Sequence, residues 1–186
     1  MKELKKKLPQ GDRERVTRQM ERITNKRNRQ IDHYLHTVSR RMVDFLVENG
    51  IGTVIIGKNP LWKQESGMGK RNNQNFVSIP HARFIEMITY KATLVGIQVE
   101  VREESYTSQA SFLDLDPLPD YKPNDKEEHV FSGKRIGRRN RLYRTKDGRK
   151  ICADVNGAYN ILRKSRPDAF AKGVAGYVVH PVRLAV

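Results

Sequence analysis

The chain has 186 residues, with 36 Lys and Arg against 21 Asp and Glu and a formal net charge of +15. No apolar run approaches the roughly 20 residues of a membrane-spanning helix, no signal-peptide pattern opens the chain, and the single cysteine, Cys152, excludes an intrachain disulfide or a cysteine-based zinc cluster. The balance argues against a membrane protein and for a cytoplasmic one whose charge suits a polyanionic partner, with a solvated basic surface as the plain alternative.

From Asp12 to Asn49, apolar residues fall at Val16, Met20, Ile23, Ile31, Leu35, Val38, Met42, Phe45 and Leu46, the spacing of one long amphipathic helix stopped by Gly50 and Gly52. Its other faces carry Arg13, Arg15, Arg18, Arg22, Lys26, Arg27, Arg29, Arg40 and Arg41, which suit either a basic ridge along a nucleic-acid backbone or a solvated face. Thr53 to Ile56 reads as a short buried strand, followed by a polar loop from Lys58 to Asn75. Pro80 suits a first helical turn, and His81 to Val95 reads as a helix with Phe84, Ile85, Ile88, Ala92 and Val95 inward. Ile97 to Glu104 alternates as a half-buried strand with Ile97, Val99 and Val101 on its inner face. Strand, helix and strand at this spacing form a βαβ crossover with two parallel strands. Beyond an acidic, proline-rich segment from Ser111 to Glu128, the basic stretch from Lys134 to Lys150 reads as a hairpin or ordered loop turning at Asp147-Gly148. A last helix spans about Asp154 to Arg163, and Pro167 bars its continuation.

Carboxylates recur at element ends: Glu103 and Glu104 close the second strand, and Asp154 opens the last helix. Sites that cleave phosphodiesters place carboxylates there to hold hard divalent cations. Asp154 equally suits a helix cap, and the two glutamates equally suit a solvated pair. Arg135, Arg138, Arg139, Arg141, Arg144, Arg149 and Lys150 form a dense cationic set suited to phosphate contact. Tyr106 and Trp62 could stack on bases or belong to a core; Asn156 and Asn160 could face a substrate or merely be polar surface. The five histidines are scattered, which suits solvated or capping roles.

Several ordered blocks resemble the C-terminal half of the TnpB (OrfB-type) proteins of insertion sequences, relatives of type V CRISPR effector nucleases. They are Ile51-Gly52-Thr53-Val54-Ile55-Ile56-Gly57-Lys58-Asn59, Trp62-Lys63-Gln64, Asn73-Gln74-Asn75-Phe76, Ile79-Pro80, Tyr90-Lys91-Ala92, Glu104-Ser105-Tyr106-Thr107-Ser108 and Ala153-Asp154-Val155-Asn156-Gly157-Ala158. The resemblance implies an α/β chain carrying part of an RNase H-like, RuvC-type fold: a long N-terminal helix, a βαβ unit and a C-terminal helix. Three acids of such a fold bind two Mg²⁺ ions for DNA cleavage, and the last of them maps onto Asp154. The first strands and the first catalytic Asp of that fold are expected to lie in an upstream region that this chain lacks.

Two departures from the family pattern stand out. The strand end where many relatives carry the second acid is Gly57, with Lys58 beside it, and Glu104 on the adjacent parallel strand is the candidate to replace it, Glu103 pointing to the opposite face. Ser111 and Asp114 stand where relatives place the first cysteine pair of a zinc ribbon, so no zinc is expected. The organisation expected is a partial RuvC-like region over residues 1–110, an insertion at the degenerate ribbon position over 111–152, and the final helix and tail over 153–186. The function implied is the C-terminal portion of a transposon-encoded, RNA-guided DNA endonuclease or transposase. It would bind DNA, a guide RNA and a separate upstream fragment, and would be inactive alone. The alternative is a noncatalytic nucleic-acid-binding remnant with a regulatory role.

Overall fold

A computed structural model describes residues 10–59, 80–121, 128–137, 141–173 and 178–181, with the side chains of the first helix described from Thr17 onward. Trp62, Arg138 and Arg139 lie outside the described residues. The element order is α1 (Gln10–Glu48), β1 (Thr53–Gly57), α2 (His81–Leu94), β2 (Gln98–Arg102), β3 (Lys134–Ile136), β4 (Leu142–Arg144), β5 (Lys150–Cys152) and α3 (Ala153–Ser165), followed by a 3-10 turn at Pro167–Phe170. The chain is thus mixed α/β, and none of the described helices is long and apolar enough to cross a membrane.

The βαβ unit is present. β1 pairs parallel with β2 in the register Thr53 to Gln98 through Gly57 to Arg102, so both strands end on one rim. β-branched Val54, Ile55 and Ile56 favour the extended conformation, and Gly50 and Gly96, both at positive φ, let the chain leave each helix sharply before a strand. The helices α1 and α2 run side by side in the same direction: Arg83 pairs with Asp32, Lys91 donates to the His36 carbonyl and to Ser39, and Val43 packs with Ala92 and Ile97. That cluster, joined by Leu46, Val54 and Val99, is the first of two small cores.

Three expectations about facing need correction. Val95 is exposed and Met87 is buried in its place, because the helix ends at Leu94 and Val95 already belongs to the turn. Val101 is exposed, because the cluster that covers the inner face of β2 reaches Val99 and not the strand end. The second strand also stops at Arg102, which leaves Glu103 and Glu104 in the turn that follows.

The second core gathers Phe112, Leu113, Tyr143, Ile151 and Ala153, with Val155, Tyr159 and Phe170 against it. Phe112 stacks on Tyr159 at 4.3 Å, and Phe170 meets both rings edge-on. The basic segment folds into an antiparallel sheet, β3-β4-β5, whose last hairpin turns through Asp147 and Gly148 as expected, with Gly148 at φ +88°. One helix, α3, touches β1 and β2 on one side and β4 and β5 on the other, and so joins the two cores.

Candidate functional site

The rim where β1 and β2 end is built around Gly57. A Cβ placed there would collide with Oε2 of Glu104 and lie 2.6 Å from Cδ1 of Ile161 on α3. The Glu104 carboxylate therefore fills the space that a side chain at position 57 would need. Lys58 continues the rim by donating its backbone N–H to the Arg102 carbonyl at 2.8 Å.

The two glutamates have separate fates. The Glu103 carboxylate accepts from buried Lys164 Nζ at 2.6 Å and from the Ser105 N–H at 2.5 Å; burial alone would raise it, but these hydrogen bonds hold it below the usual carboxylate range. Glu104 receives the Asn59 backbone N–H, and burial, followed by the neighbouring Glu103 charge, pushes its carboxyl above the ordinary value. The carboxylate over the glycine is therefore the less compensated of the two, the environment that marks functional acids elsewhere.

The segment after Glu104 is a tight turn. Thr107 donates from Oγ1 and from its N–H to the Glu104 carbonyl, and Tyr106 sits at φ +62° with its ring edge-on to His129 at 4.7 Å. Two buried asparagines of α3 pin this turn in place. Asn160 Nδ2 donates to the carbonyls of Thr107 and Ala110, while Asn156 donates to Ala110 and accepts from the Phe112 N–H. Both side chains are 0% exposed, so neither faces a substrate nor belongs to a polar surface. The sequence signal available was their four-residue spacing, which puts them on one helix face with no means of telling an inner face from an outer one.

Asp154 lies in the first turn of α3, and the N-cap position is Cys152, whose side chain makes no capping hydrogen bond. It is exposed and pairs with Arg141 at 3.3 Å. Asp154, Gly157 and Ile161 fall at i, i+3 and i+7, one stripe of the helix. Ile161 covers Gly57, so Asp154 projects along the same stripe about 10 Å further up the axis, past the strand ends.

The cations divide into committed and open ones. Arg149 is held by Asp147 and Asp114, Arg141 by Asp154, and Arg163 donates to Asn160 and to the Asp116 carbonyl. Arg135, Arg144 and Lys150 are exposed. Lys134, Arg144 and Lys150 are register partners and so share one face of the three-stranded sheet; Lys134 was not among the cations singled out from the sequence.

At the ribbon position a polar hub stands. Asp114 accepts from Ser111 Oγ at 2.6 Å, Ser132 Oγ at 3.3 Å and the Lys146 N–H at 3.0 Å, while Asp116 accepts from the N–H groups of Ser111 and Ser132. Burial and the charges of Asp116 and Asp114 push the Tyr143 hydroxyl up to about 12.

A two-cation site needs several converging carboxylates. Among the described residues no group of three or more His, Cys, Asp or Glu side chains could hold a metal ion. Glu104 and Asp154 by themselves fall short of that requirement.

Comparisons with known proteins match two separate stretches of the chain. A family model described as Cas12f1-like, TNB domain matches residues 81–161, and the OrfB_IS605 model, described as "Probable transposase", matches residues 1–62. No curated protein compared matches the chain. A similar fold occurs in the cryo-EM structure of the Cas12f1-sgRNA-target DNA complex, at a TM-score of 0.54 and 20% identity over 78% of this chain. The chain spans 37% of the length of that relative. Two family models thus match separate stretches of the chain, residues 1–62 and 81–161, and together they support a TnpB/OrfB-type family.

Proposed function

We propose that the chain is the C-terminal, RuvC-type portion of a transposon-encoded DNA endonuclease, with an RNase H-like sheet to which β1 and β2 belong. The observation that carries this reading is the Glu104 carboxylate seated over Gly57 at the rim of two parallel strands, where Ile161, on the helix stripe that also bears Asp154, closes over the same glycine. In this proposal Asp154 and Glu104 are two of the carboxylates of a Mg²⁺ site that further acids, supplied from outside the described residues, complete. Hard oxygen donors favour Mg²⁺ or Mn²⁺. The ribbon position, closed by Asp114 and Asp116, takes no zinc in this proposal. Nucleic acid is the partner that the charge favours, DNA first and a guide RNA with it, with the exposed Arg135, Arg144 and Lys150 as phosphate contacts.

The test is Mg²⁺-dependent nicking of DNA by the chain together with any adjoining reading frame. Asp154→Ala and Glu104→Gln are expected to abolish it while lysine-to-alanine substitutions on the same surface leave it in place. Nicking unchanged by Asp154→Ala would remove the site assignment and favour the noncatalytic, regulatory nucleic-acid binder.

A further inference from the structure

The structure divides α1 into two unlike halves. From Ile31 to Leu46 it packs on α2 and β1 through Leu35, Ser39 and Val43, whereas every residue from Glu21 to Gln30 is exposed. On that exposed half, Arg18, Arg22, Lys26 and Arg29 fall at i, i+4, i+8 and i+11, with His33 four residues further on. These spacings keep all five on one face over about 16 Å of helix between Arg18 and Arg29. The core-facing stripe lies on another side of the helix, so the packing of the lower half does not hide them.

No described acid neutralises the stripe. Glu21 lies off it toward the core-facing side, and Asp32 is taken by Arg83 of α2. Lower on the same face, Arg40 pairs with Asp44 at 2.9 Å, so the open charge is confined to the protruding half. Like charges four residues apart repel and disfavour the helix that carries them, and no residue from Glu21 to Gln30 is buried to offset the repulsion. A ridge of this kind is complementary to a line of negative charge. One strand of a duplex presents a phosphate about every 3.4 Å, so the stripe spans about five of them.

We propose that the Arg18–His33 face of α1 is a second nucleic-acid surface, separate from the β3-β4-β5 sheet, that docks along the sugar-phosphate backbone of a duplex. It rests on the reading of the protein as a nucleic-acid-directed one and adds where a duplex lies. A straight, rigid ridge suits a duplex better than a coiled single strand. An anionic lipid surface is disfavoured because the stripe carries no adjoining apolar face of membrane-binding width.

Fluorescence anisotropy with the full chain, over a salt series, tests this against a DNA duplex, an RNA–DNA hybrid and a single strand of the same length. The triple variant Arg22→Gln, Lys26→Gln, Arg29→Gln is expected to make the log K against log salt slope for both duplexes shallower by about 2 to 3, each phosphate no longer neutralised accounting for about 0.9. The control variant Arg27→Gln, Arg41→Gln, Lys172→Gln, of equal charge change but off the stripe, is expected to shift the slope by less than about 1. Equal shifts in the two triples would overturn the ridge, as would an effect confined to the single strand or to anionic vesicles. If the ridge triple behaves as wild type while Lys134→Gln, Arg144→Gln, Lys150→Gln weakens binding, the ridge fails and the nucleic-acid reading stands. Absence of salt-dependent binding in the wild type overturns both.

Discussion

Adding a methyl group at position 57 would drive it into the Glu104 carboxylate and Ile161. Gly57→Ala is therefore expected to cost about 1–3 kcal/mol in urea unfolding, the usual penalty for overfilling a packed site. Gly57→Asp should be worse alone and recover most of the loss when combined with Glu104→Gly, because the two carboxylates compete for one place. An additive double variant would show that they do not. Glu104 also sets a pH dependence. Its carboxyl is held above the ordinary value in the fold, so the folded protein binds that proton more tightly than the unfolded chain. Stability is then undiminished below the unfolded value and falls as pH rises through the raised one, and Glu104→Gln should remove that loss. Glu100 works in the opposite sense: the hydrogen bonds from Arg166 and Ser165 lower it to about 2, so its contribution is present above the unfolded value of about 4.5 and is lost as pH falls toward 2. Glu100→Gln should flatten that acid-side decline in a thermal melt series.

Among the elements, α3 is the joint of the molecule, and its asparagines are the means. Asn156→Ala or Asn160→Ala would strand backbone groups of the 107–112 turn in a dry interior, at about 2–3 kcal/mol each by chemical unfolding; a cost below about 0.5 kcal/mol would contradict the buried network. The hub at Asp114 should likewise make the ribbon position indifferent to chelators, with EDTA leaving the melting temperature unchanged and Asp114→Ala lowering it. The helices, the parallel pair and the Asp147-Gly148 hairpin were legible in the sequence because periodicity and turn chemistry are local signals. The inward side of Asn156 and Asn160 was not, since burial of a polar side chain depends on partners 44 to 53 residues away. Asp154 does stand at the start of α3, as its position before an apolar-periodic stretch suggested, yet its pairing with Arg141 rests on a loop residue at φ +45° that no local pattern announces. The separate surroundings of Glu103 and Glu104 were not legible either, because Lys164 reaches Glu103 from α3, 61 residues on.

Among the described residues the apolar core falls into two small clusters, and the first helix carries an exposed basic stretch from Glu21 to Gln30. Among the described residues no further strand pairs with β1 or β2, and such unpaired strand edges are open to pairing with another strand. Whether Glu104 and Asp154 share a cation-facing rim is read out by paramagnetic broadening from Mn²⁺ in amide NMR spectra of the chain. Selective broadening of Asn59, Glu104, Asp154 and Gly157 is expected, abolished for all four in the Glu104→Gln, Asp154→Ala variant. Broadening centred on Asp114 and Asp116, or spread evenly over the exposed acids, would contradict the shared rim.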